Sequence, residues 1–370
     1  MNTTQSPFAQ GRHDNNIGFL RLAGAFLVLF GHNWVLFYGP GVNIDPLSRW
    51  ILGNQLSHEL IHGIGINLFF VLSGFLISKS FVSSQGLLRF CIARVLRIYP
   101  ALIINVLLTV FVLGALLSTL PLQAYLQHDM TWMYLWNNAS LIKVTHILPG
   151  VFNDNVYPDA VNGSLWSLPL EMSMYVFAFF FGVLMLYRNR LLGAAFIASL
   201  VVGYFVATEV FGQQPLLTRG LFMVVVHFML GMLLYMFRDL VLLRFWLALL
   251  LYVPVVLMPP GPAFELMSSL AFAYLVLWLA YTPRLRLPRV ERYGDMSYGL
   301  YLYAFPVQQW LIHMQLSSVW AVLMAASVIC LSLAMLSWHL VEQRSLQWVT
   351  PLNNGLRSGL QRVGLQARWL

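Results

Sequence analysis

Two costly side chains sit in the first apolar stretch of the chain, with His32 eleven residues after Arg21. On a helix that spacing is about 16 Å of rise and about 1100° of rotation, or three turns plus roughly 20°. Both side chains therefore share one face, a cation near one end and an imidazole deeper in. Ionisable groups in such stretches are expensive and usually serve a site, and an imidazole there suits a general base. The bland alternatives are snorkelling for Arg21 and a core histidine bonded to a backbone carbonyl for His32.

Glu171 is the third costly group. It follows Ser164, Trp166, Ser167 and Pro169. Ser164, Ser167 and Glu171 recur at i, i+3 and i+7, the spacing of one helix face. Pro169 is tolerated near a helix start, or kinks the helix so that freed carbonyls face a cavity. The competing reading makes Ser164 an N-cap with an acid in the early turns. Arg94 and Arg97, at i and i+3, put two guanidinium groups on one side of a turn. That geometry suits phosphate oxygens, and ordinary interfacial positive charge is the alternative. His58, His62, His227 and His313 read as structural, and His339 as a partner of Glu342 three residues on. No Ser-His-Asp order, Walker loop or dinucleotide fingerprint is present. The two cysteines, Cys91 and Cys330, read as unpaired, and no metal-ligand spacing exists, so no metal is expected.

These residues need elements to hold them, and the composition states which. The 370 residues are 59% hydrophobic and only 9% charged, against roughly 25% charged in soluble domains. So few charges cannot cover a water-facing surface. The fold class is therefore all-α, a polytopic membrane protein of about ten transmembrane helices, because a bilayer core takes about 20 apolar residues as helix. The spans fall near 16–38, 61–82, 98–120, 164–187, 191–209, 219–237, 241–258, 263–281, 296–314 and 319–341. The first reads as a retained span, too long for the core of a cleaved signal. With the N-terminus in the cytoplasm, seventeen of the 21 Lys and Arg fall on the inner side; only Arg49, Lys143 and Arg219 lie outside. That bias predicts both termini inside. The net charge of +8 is thus a topology signal, and nucleic acid is not an expected partner. Residues 1–345 read as one membrane domain and 346–370 as a short basic cytoplasmic tail. Two outside segments, about 39–60 and 121–163, are long. The second is rich in Trp, Tyr, Asn and Asp. It suits an interfacial belt or a lid offering stacking faces to a sugar.

The combined pattern resembles the acyltransferase-3 family of membrane acyltransferases. Arg21 and His32 match its Arg-x10-His motif. Asn67 through Ile77, with Ser73 and Gly74, resembles its F-F-V-L-S-G-F-L-I signature. Arg94-x-x-Arg97-Ile98-Tyr99-Pro100 matches R-x-x-R-I-Y-P. Gly163-Ser164-Leu165-Trp166-Ser167-Leu168 through Glu171 resembles G-S-L-W-S-L-x-x-E, and Ser297-Tyr298-Gly299-Leu300-Tyr301-Leu302 the late S-Y-x-x-Y-L element. The matches run in family order from residue 15 to about 345. The chain departs at Asn67, where many members carry Asp, at Ala304, near a frequent His, and at Glu342-Gln343-Arg344, where Glu-x-Pro is usual.

The resemblance implies transfer of an acyl group, usually acetyl, from cytoplasmic acyl-CoA to a hydroxyl of an envelope saccharide or lipid-linked glycan. The membrane would be the bacterial inner one. Acyl-CoA is then the co-substrate, met by Arg21, Arg94 and Arg97. His32 serves as base or acyl carrier, with Glu171 orienting it. Ser73, Ser164, Trp166, Ser167, Tyr298 and Tyr301 are the candidates for acceptor or oxyanion contacts. The chain ends too early for the extra esterase-like domain of some members. The competing class is a transporter or flippase without acyl chemistry, since buried charge and broken helices also mark transport pathways.

Overall fold

The computed structural model describes residues 15–39, 45–52, 61–84 and 86–362. Arg12, His58 and Arg368 lie outside the described residues, as do the side chains of Arg49 and Arg362. The chain is all-α among the described residues: α1 Ile17–Tyr38, α2 Pro46–Leu52, α3 Ile61–Ser83, α4 Leu87–Leu108, α5 Leu122–Gln127, α6 Asp129–Ser140, α7 Ser167–Val183, α8 Arg190–Phe205, α9 Arg219–Met236, α10 Phe245–Leu257, α11 Pro262–Tyr281, α12 Ser297–His313, α13 Val319–Ser337 and α14 Val349–Arg362. Among the described residues, eight helical runs are long and apolar enough to cross a membrane. The remaining two expected spans are shorter helices, α10 of 13 residues and α12 of 17. The protein is a polytopic integral membrane protein.

The third span starts earlier than its hydropathy suggests. Helix α4 begins at Leu87 and runs on through a π turn at Thr109–Gly114 to Leu117. Arg89, Arg94 and Arg97 are therefore helical, because long basic side chains can extend a span toward the headgroups without breaking its backbone bonds.

The chain divides into two compact units. One comprises residues up to Arg21, Ile66–Ser84 and Ser173–Arg289. Its core joins Leu68, Val71, Leu72 and Phe75 of α3 to Tyr235 of α9 and to Ala273, Val276, Leu277, Ala280 and Tyr281 of α11. Glycines bring α3 and α9 together. A Cβ at Gly74 would stand 2.0 Å from the Phe228 carbonyl oxygen, and one at Gly231 would stand 2.2 Å from that of Val71. Without a hydrophobic drive between helices in lipid, such small-residue contacts carry the packing. Large apolar side chains such as Leu191, Val202 and Val256 face outward, as a lipid-facing surface requires.

The other unit comprises Leu22–Gly65, Gln85–Met172 and Val290–Leu370. Its centre is α12, buried at every position from Ser297 to Gln309. Such a helix must satisfy polar groups internally. Pro306 has no N–H, so the carbonyl of Leu302, four residues back, loses its helical partner. Asn105 and Asn162 donate to that oxygen at 3.2 and 3.1 Å. In α4, Pro100 frees the Leu96 carbonyl in the same way, and the Ser345 hydroxyl donates to it at 3.0 Å. In the long segment 121–163, Trp132 and Trp136 are exposed and Tyr134 is buried. Asn155 of the same segment donates to the Gln309 backbone and side-chain oxygens of α12.

Candidate active site

Successive turns of α12 carry the site. Tyr298, Tyr301, Phe305 and Gln308 follow at i, i+3, i+7 and i+10, one helical face. Each meets a different set of partners, so α12 serves as a ruler roughly 15 Å long.

At the Phe305 level stands His32. Its ring makes an edge-on contact with Phe305, centroids 5.4 Å apart at 76°. A second imidazole, His62 at the start of α3, lies against it at 5.1 Å and 31°. The Nδ1 atoms of both are buried and meet no hydrogen-bond partner among the described residues. Gly31 makes room for this pair, since a Cβ there would stand 2.9 Å from the His62 backbone N and Cβ. One turn on, the Gln308 amide donates to the Leu29 carbonyl at 2.8 Å and to Asn33 at 3.2 Å, which fixes α1. Asn33 in turn donates to the Val319 carbonyl.

At the Tyr301 level stands the Gly163–Glu171 segment. Ser164, Ser167 and Glu171 do not begin on one regular helix. Gly163–Trp166 form a 3₁₀ turn, and α7 starts at Ser167. Nor is Ser164 the cap: the Asn162 side chain accepts from the Ser164 N–H. Tyr301 gathers the segment. Its hydroxyl donates to the Ser164 carbonyl at 2.5 Å and lies 2.6 Å from the Ser167 hydroxyl. Glu171 lies within electrostatic range of Tyr301. The Ser164 hydroxyl is buried without a partner among the described residues. Gly163 fits beneath Phe305, where a Cβ would stand 2.6 Å from the ring. Trp166 is half-buried on the same turn.

At the Tyr298 level stands Arg97. Its guanidinium reaches Asp295 at 2.7 Å and Glu342 at 3.2 Å, over the rings of Tyr298 and Trp338. Glu342, only 2% exposed, also accepts from Ser337. A π turn at Trp338–Glu342 carries it there. His339 is exposed. Tyr298 donates to the Ile98 carbonyl at 2.9 Å. Arg94, one turn before Arg97, lies over Phe90.

The structure thus gathers His32, Ser164, Ser167, Glu171, Arg97, Tyr298 and Tyr301 in one unit around α12. Arg21 precedes that unit on α1, and Ser73 belongs to the other unit. Sequence reasoning read His62 as structural and did not single out Asn162 or Phe305. The signal for Asn162 was an amide ahead of an apolar helix; Phe305 carried none.

Comparison with known proteins places the chain in a family. A family model described as an acyltransferase domain matches residues 14–339. The chain is similar to a protein named O-acetyl transferase from Shigella phage Sf6, with 29% identity over 355 residues, 90% of this chain and 96% of that protein. It is also similar to one named Nodulation protein 10 from Rhizobium leguminosarum bv. viciae, with 29% identity over 364 residues, 92% and 95% of the two chains. No solved structure matches the chain significantly. With the family match spanning His32, Arg97, Glu171 and the whole of α12, the chain belongs to the acyltransferase-3 family and is a membrane acyltransferase.

Proposed function

We propose that this acyltransferase takes an acyl group, acetyl first, from cytoplasmic acyl-CoA and delivers it to a hydroxyl of an envelope saccharide or lipid-linked glycan. The observation that carries the reading is His32: an imidazole at the Phe305 level whose Nδ1 is buried and has no partner among the described residues. Most buried polar atoms of structural side chains are hydrogen-bonded, and a general base needs a ring nitrogen open to the acceptor.

In this scheme the acceptor O–H gives its proton to His32 as the oxygen attacks the thioester carbonyl. The tetrahedral oxyanion collapses, the C–S bond breaks, and His32 returns the proton to the CoA sulfur. The buried Ser164 hydroxyl is a candidate oxyanion donor, and Tyr301 and Ser167 hold that turn in place. Glu171 adds negative charge on the Tyr301 side. Trp166 and Tyr298 would meet the acceptor. Arg94 and Arg97 would meet the CoA phosphates, which Arg can grip bidentately. Arg97 already spans Asp295 and Glu342, so a phosphate must compete with two carboxylates for it. The basic bias of one set of loops supports cytoplasmic termini in a bacterial inner membrane. The name of the phage relative, O-acetyl transferase, supports acetyl as the group and oxygen as the acceptor atom.

The test is purified full-length protein in lipid with labelled acetyl-CoA and a panel of envelope glycans. Label is expected in one glycan fraction, and His32→Ala should abolish it while the variant stays folded. A folded His32→Ala with full transfer, or a wild-type chain that moves glycan without consuming acetyl-CoA, overturns the reading.

A further inference from the structure

The second imidazole has no part in the scheme above. His62 opens α3 and stacks at 5.1 Å on His32, a contact that only glycine at position 31 permits. Its surroundings are built. Asp45, 2% exposed, accepts from the Ser48 N–H at 2.8 Å and from the Ser48 hydroxyl. The same hydroxyl accepts at 2.7 Å from the N–H of Ile61, the residue before His62. Asp45 is thereby tied to the first turn of α3, close enough to act on His62 through space. Among the described residues that buried carboxylate is met by the Ser48 hydroxyl and N–H, and much of its negative charge stays directed into its surroundings. Those surroundings hold His62, whose ring meets that of His32 at 5.1 Å.

We propose that His62 is the positioning residue of His32, and that Asp45 supplies the negative charge that balances the imidazolium formed on His32 during transfer. The proposal rests on His32 acting as general base. While the new C–O bond forms, His32 holds the acceptor proton and a unit positive charge. That proton leaves to the CoA sulfur as the C–S bond breaks, and His62 and Asp45 keep their own protonation throughout. His62 fixes the rotamer of the neighbouring ring and places a polarisable, uncharged group between the cation and the carboxylate. Asp45 therefore favours the charged state of His32 over its neutral one, and so favours the transition state over the ground state.

Three variants test this in the full-length protein, with acetyl-CoA as donor and the glycan fraction that wild type labels as acceptor. Asp45→Asn keeps an acceptor for Ser48 but loses the charge. Its loss lowers kcat on the order of tenfold, the effect of one unit charge about 10 Å away at an effective dielectric of about 20. KM for acetyl-CoA should stay within about twofold, because the ground state carries no imidazolium. Asp45→Glu should recover most of the lost kcat. His62→Phe keeps a ring of similar packing and should lose activity like Asp45→Asn. Wild-type kcat in Asp45→Asn, or in a folded His62→Phe, overturns the proposal, as does an Asp45→Asn defect confined to KM. Full transfer by His32→Ala, or no labelled glycan with wild type, refutes instead the general-base reading beneath it.

Discussion

Replacing Arg97 by Gln tests whether the cluster at the Tyr298 level is an internal brace. The substitution removes the cation from two carboxylates in different settings. Glu342 is 2% exposed and also accepts from the Ser337 hydroxyl. Breaking a buried pair by removing one partner costs about 3–5 kcal/mol, and the lower end applies because Ser337 remains. Asp295 is 23% exposed and also bonded by Ser297, so its share is at most about 1 kcal/mol. At about 2 °C per kcal/mol for a long chain, Arg97→Gln should lower the melting temperature by roughly 6–8 °C. Heating an integral membrane protein is rarely reversible, so the comparison is made at one scan rate. The readout is the fraction of monodisperse detergent-solubilised protein surviving a temperature series. Glu342→Gln in the Arg97→Gln background should restore part of the loss, because no uncompensated buried charge then remains. An Arg97→Gln melting temperature within about 1 °C of wild type, or a double variant as unstable as the sum of the singles, refutes the brace.

Two further outcomes follow from the packing of each unit. Asn162→Leu strands the Ser164 N–H and leaves the Leu302 carbonyl to Asn105 alone, and should cost about 1–3 kcal/mol. Pro306→Ala should offset part of that loss in the double variant by returning an N–H to the Leu302 carbonyl, and thermal melts of the four proteins check the coupling. Gly74→Val drives a branched side chain into the Phe228 carbonyl. The cost should exceed the roughly 1–3 kcal/mol of ordinary overpacking, with loss of the monodisperse peak in size-exclusion chromatography.

Much of this protein was legible because its information is local. Scarce charge and long apolar runs state a bundle of membrane helices. The eleven-residue gap from Arg21 to His32 states a shared face, because helical rotation per residue is constant. Pro306 and Pro100 even announce which carbonyls must look elsewhere for a donor. Where those carbonyls find their donors is decided by the tertiary structure: Leu302 by Asn105, 197 residues away, and by Asn162, 140 away; Leu96 by Ser345, 249 away. Arg94 and Arg97 read as a phosphate-binding pair from their i, i+3 spacing, whereas the carboxylates that meet Arg97 lie 198 and 245 residues further on and leave no local trace. The pairing of His32 with His62 had no pattern to betray it. It depends on a missing Cβ at Gly31 and on the angle at which two helices meet, and a side-chain contact across helices leaves no periodic trace along either one.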